Sequence, residues 1–181
     1  MIWLLLGLAL WSGVHLFKRI APERRAALGD KDKGPIALAL VASIVLMVIG
    51  FRAWDGTVYW GRSPAMTGIN NLLMLLSFYL FAASGKGTRI TRAIRHPQLT
   101  AVIVWSVGHL LVNGDTPSFL LFGGLAIWAV VEMIVINRAH GPRGDYHAPP
   151  IKSEVIAVVA TVVVFAITAA IHIWLGYNPF G

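Results

Sequence analysis

The chain has 181 residues, 57% of them hydrophobic and 13% charged, with a mean hydropathy of +0.71 and a formal net charge of +7. That composition is too apolar for a water-soluble domain, and at about 20 apolar residues per span the length holds roughly six spans with short connections, read as a single domain over residues 1–181. The absence of cysteine excludes disulfides, thiolate catalysis and cysteine metal ligation, and the positive charge falls between apolar runs, which argues against nucleic acid as its partner.

The first run covers residues 2 to 19 and starts at Met1 without a basic n-region, while basic residues follow it, the pattern of a retained helix and not of a cleaved signal peptide. His15 lies toward its end. The second run, 35 to 53, closes on Gly50 and Arg52, and the third covers 65 to 84. The fourth, 98 to 113, is short for a span and carries Trp105, His109 and Asn113; the fifth, 117 to 137, carries Glu132, placed to pair with Arg138 or to reach an interior arginine. The sixth, 153 to 176, carries His172. Pro35, Pro64, Pro97 and Pro117 stand at or near the starts of four runs, where a missing N–H costs least. The expected fold is all-α, a polytopic membrane helical bundle of about six transmembrane helices.

Lys18, Arg19, Arg24, Arg25, Lys31 and Lys33 flank the first connection, Lys86, Arg89, Arg92 and Arg95 the third, and Arg138, Arg143 and Lys152 the fifth, thirteen of the fifteen basic residues. By the positive-inside rule the odd connections face the cytoplasm, which puts both termini on the periplasmic side of a bacterial inner membrane. Asn113, Gly114 and Asp115 then form a tight outer turn. The lipid bilayer is the expected partner, and the oligomeric state stays open.

Three of the six histidines, His15, His109 and His172, lie inside apolar runs, where ionisable groups are costly and face the bundle interior. Each has two readings: a neutral imidazole bonded to a neighbouring helix, or a ligand. Two neutral histidines from different helices suffice for a bis-imidazole haem. His109 follows Trp105 by four residues and precedes Asn113 by four, so the three share a helical face. By the run boundaries His15 lies near the cytoplasmic end and His109 toward the outer end, so a ligand plane joining them would tilt; His109 with His172 is the alternative pair. Arg95, His96, Pro97 and Gln98 open the fourth run, where a guanidinium and free N–H groups can take a cofactor carboxylate or phosphate, or where the arginine simply anchors to lipid headgroups.

The stretch RHPQLTAVIVWSVGHLLVNGDT, residues 95–116, resembles the NnrU family, which includes the plastid 15-cis-zeta-carotene isomerases. The RHPQ, W-x-x-x-H and N-G-D elements match in order. The likeness runs on through Ser12, Gly13 and His15, the basic loop after them, Gly50 and Arg52, the Leu-Phe-Gly of the fifth run, and His172 with Leu175 and Gly176. It implies a haem b held in the membrane with iron ligands matching His15 and His109, which are then the catalytic positions. Arg95, His96, Trp105 and His172 are the further cofactor-binding candidates. In the isomerase branch a redox-dependent ligand change frees iron to act on a polyene double bond, and in bacteria the family name is linked to nitrite and nitric oxide metabolism in denitrifiers. The implied ligand is therefore a lipophilic polyene or a small gas. Ser106 stands where the plant isomerases carry cysteine, so a thiolate cannot replace histidine in this chain. The RHP helix start is also similar to isoprenylcysteine carboxyl methyltransferases, which implies S-adenosylmethionine near Arg95 and His96 as a rival reading, faintly echoed by Glu132 and Arg138. A non-enzymatic denitrification assembly factor is the other rival.

Overall fold

The computed structural model describes residues 1–28, 33–141 and 147–181, with the backbone alone at residue 28. Lys31 and Arg143, counted among the basic connections, lie outside the described residues. Seven helices are found there: α1 (Ile2–Ile20), α2 (Pro22–Leu28), α3 (Lys33–Arg52), α4 (Pro64–Lys86), α5 (Pro97–Val112), α6 (Thr116–His140) and α7 (Ile151–Trp174). A 3₁₀ turn at Arg89–Arg92 precedes α5, and two short strands, β1 (Val58–Trp60) and β2 (Gly114–Asp115), pair with each other. The six expected runs match six of the helices to within a few residues, whereas α2 and the strands are additions. Segments this short leave no span-length hydropathy signal.

Four helices, α3, α4, α6 and α7, are long and apolar enough to cross a membrane. α5 has only 16 residues, about 24 Å at the usual rise, and the 19-residue α1 carries Lys18 and Arg19 in its last turn. The count of about six spans is therefore approximate. Only 17% of the apolar stretch of α3, and of α7, is buried within the protein, and their exposed residues include Val41, Ile44, Val48, Val159, Val162 and Ile167. Such outward faces are stable in lipid and not in water.

The chain forms two compact units interleaved in sequence, unit 1 from residues 1–59 and 115–141 and unit 2 from residues 60–114 and 142–181. In unit 1, α1 packs along α3 and also meets α6. The α1 and α3 backbones approach closely because glycines stand at the crossing: a Cβ on Gly7 would come within 2.7 Å of the Met47 side chain, and one on Gly50 would overlap the Leu4 backbone. Small residues do this work in membranes because lipid supplies no hydrophobic drive between helices. α6 starts with Asp115 as its cap, Oδ1 accepting from the Ser118 N–H at 2.8 Å, and widens to a π-helical turn at Phe119–Gly123. In unit 2, α4 packs against both α5 and α7. Ser77 donates to the Ala101 carbonyl at 2.9 Å, and Gly108 leaves room for Met74 and for Asn70, whose Oδ1 would lie 2.9 Å from an added Cβ. The Glu154 carboxylate takes the Tyr79 hydroxyl at 2.8 Å and the Arg89 N–H, which ties the third connection to the start of α7.

Candidate functional site

Chemistry-bearing side chains gather in both units. In unit 1, Trp11, His15 and Arg19 follow one another at intervals of four on α1, and Trp128 and Glu132 do so on α6, so each set lines one helical face. The His15 ring lies 4.3 Å from Trp11 and 4.8 Å from Trp128, and the two indoles are 5.4 Å apart, edge to face. Arg19 Nε donates to Glu132 Oε1 at 3.3 Å. Glu132 therefore reaches across to α1 for its cation, and the Arg138 pairing expected as one option is not the bond that forms. Glu132 and Trp128 are each 6% exposed. Trp11 Nε1, Trp128 Nε1 and Glu132 Oε2 are buried without a hydrogen-bond partner among the described residues; each such group costs about 1–3 kcal/mol if nothing satisfies it.

In unit 2, His109 stands in the last turn of α5 with its ring 4.7 Å from Trp105. Asn113 closes that helix, its side-chain amide donating to the His109 carbonyl at 2.9 Å. His172 lies near the end of α7, whose last turn is closed by the Tyr177 N–H on the His172 carbonyl at 2.8 Å. His109, His172 and Arg62 all belong to unit 2. Arg62 in turn donates to the Asn178 carbonyl at 2.6 Å, and Asn71 to that of Pro179 at 3.1 Å, folding the C-terminal residues onto α4. Above β2, the Trp60 indole donates to the Leu110 carbonyl at 3.1 Å and covers Gly114, where any Cβ would overlap the ring.

Arg95 and His96 occupy a half-buried bend before Pro97, at the opposite end of α5 from His109. His96 is the helix's N-cap by backbone only, its carbonyl accepting from the Thr100 hydroxyl at 2.9 Å. The structure thus sets His109 against Trp105 and in the same unit as His172, keeps Arg95 and His96 at the far end of the same helix, and places His15 in unit 1. The Trp128 contact of His15 was missed by sequence reasoning. Its signal was the spacing of four, which marks a face but not what the face meets.

One feature recurs at the three histidines of the apolar runs, and at exposed His140 with Ile136 at 3.2 Å: Nδ1 lies against the carbonyl four residues back, Trp11 at 2.9 Å, Trp105 at 2.9 Å and Thr168 at 2.8 Å. A carbonyl only accepts, so in the neutral ring Nδ1 carries the proton and Nε2 the lone pair. That is the tautomer a metal-bound histidine needs, with the ring oriented by its other nitrogen. No group of three or more His, Asp or Glu that could hold a bare metal ion occurs among the described residues, whereas haem asks for at most two imidazoles. The donor set fits haem.

The family model described as NnrU protein matches residues 3–179. No curated protein and no solved structure matches the chain. With 177 of its residues inside that one match (3 through 179), the chain belongs to the NnrU family.

Proposed function

We propose that this helical membrane protein binds haem b through intramembrane histidines and uses it for redox or cis–trans isomerase-type chemistry on a lipophilic polyene, or on a small gas in nitrite and nitric oxide metabolism. The observation that supports the reading most is the shared Nδ1–H bond of His15, His109 and His172 to the preceding turn, which puts the lone pair on Nε2, the nitrogen that would bind iron. When bound, haem supplies an iron that exchanges electrons and coordinates or polarises a ligand. The chain's own part is to orient the imidazoles and to pack Trp105 against His109.

The axial ligands we propose are His15 and His109, the positions that match the family's ligands. His172 is the alternative partner for His109, and both lie in unit 2. Arg95 is proposed to take an anionic cofactor edge. We place the protein in the bacterial inner membrane with both termini periplasmic, from the basic bias of the odd connections. The test is an absorption spectrum of the detergent-purified protein expressed with haem supply. A Soret band with low-spin features is expected; its absence from intact, folded protein would overturn the reading and leave the methyltransferase or assembly roles.

A further inference from the structure

The α1 and α6 faces of unit 1 carry more hydrogen-bonding atoms than their side chains satisfy. Trp11 Nε1 and Trp128 Nε1 are donors without acceptors, and Glu132 Oε2 is an acceptor without a donor, all three buried and unpartnered among the described residues. Their residues lie on the facing sides of α1 and α6. The two indoles are 5.4 Å apart, Trp128 and Glu132 are one helical turn apart on α6, and the other Glu132 oxygen is held by Arg19. Glu132 and Trp128 are both more than nine-tenths buried, so bulk solvent does not meet this demand.

Indole nitrogen only donates and an ionised carboxylate only accepts. The complement of two donors and one acceptor is an oxygen that accepts twice and donates once. Water has that capacity, and a buried water commonly makes about three hydrogen bonds. We propose that α1 and α6 enclose a buried water site in unit 1, in which water accepts from the Trp11 and Trp128 N–H groups and donates to Glu132 Oε2. The site explains how a carboxylate is carried inside an apolar span: Arg19 satisfies one oxygen, and water satisfies the second. It also extends a polar path from the basic last turn of α1 past His15 toward the middle of the helix. The proposal uses the Trp11, Trp128 and Glu132 atoms and no iron ligand.

The seven tryptophans of the full-length, detergent-solubilised protein are labelled with ¹⁵N at the indole, and Trp11→Phe and Trp128→Phe identify the two signals. Cross-peaks from both indole protons to water are expected, and loss of both in Glu132→Leu. Protection of both protons in D₂O with contacts only to detergent or lipid chains would overturn the proposal. So would cross-peaks that persist unchanged in a folded Glu132→Leu protein. If Glu132→Leu does not fold, the wild-type spectrum alone decides. Because the readout is taken with and without haem, a missing Soret band cannot be mistaken for a dry site.

Discussion

A histidine that binds iron and one that only braces a helix make the same Nδ1–H bond to the preceding turn, and the two are separated by what removal does. His109→Ala is expected to turn the spectrum high-spin or to lose haem, since a metal bond disappears outright. His15→Ala and His172→Ala then divide the two proposed pairs: the variant that keeps the low-spin wild-type spectrum has lost a bracing residue, the other a ligand. All three variants unchanged would make the histidines structural. Arg95 is tested by the same spectra. Arg95→Lys keeps the charge and loses the bidentate fork, so haem retention should fall in both Arg95→Lys and Arg95→Ala, and retention in both leaves it as a lipid anchor. The Arg19–Glu132 pair makes a stability prediction instead. Arg19→Ala leaves a buried carboxylate without its cation, and breaking a buried pair costs about 3–5 kcal/mol. Arg19 is a quarter exposed, so the low end of that range is expected, seen as a lowered midpoint of thermal unfolding in detergent.

Among the helices, the closest backbone approach described is that of α1 to α3 at Gly7 and Gly50. Gly50→Ala puts a methyl group into the Leu4 backbone, which cannot yield as a flexible side chain would. Overpacking of this kind costs about 1–3 kcal/mol, whereas Gly13→Ala, which meets nothing within 4 Å, should leave thermal stability unchanged or slightly raised. Equal stability of the two variants would mean that the α1 and α3 seam is not close-packed. The start of α6 gives an independent test. Asp115→Ala removes the side-chain acceptor of the Ser118 N–H, with an expected loss of about 1 kcal/mol in the same assay.

For the whole molecule, the open matter is which side of the membrane each connection faces. Lys86, Arg89, Arg92 and Arg95 flank one connection while the turn through Gly114 carries no basic residue, so the former should be cytoplasmic and the latter periplasmic. Alkaline phosphatase fused after residue 114 should be active and the fusion after residue 90 inactive. The reverse pattern would invert the topology and with it the depths assigned to the histidines. Two interleaved units also bear on how variants should be read. Substitutions on the α1–α3 seam and on the α4–α5 seam at Gly108 act on different cores, and their effects on stability are expected to add.

Hydropathy and prolines alone determined the helical membrane character and six helix positions, because a span must satisfy its backbone internally and bury about 20 apolar residues in lipid. The motif from Arg95 to Thr116 likewise carried the family. Which helices pack together was not legible: α1 and α3 to α7 are apolar on most sides, and a helix facing lipid and one facing protein are written with the same residues. Glu132 illustrates the limit. Its place in an apolar run left Arg138 or an interior arginine as its cation, whereas the pairing of α1 with α6 settled on Arg19. His15 is the same case from the other side. The spacing from Trp11 to His15 to Arg19 defined a face, but only tertiary packing set Trp128 and a buried carboxylate on α6 opposite that face, because contacts between residues over a hundred positions apart depend on how helices dock and not on local periodicity.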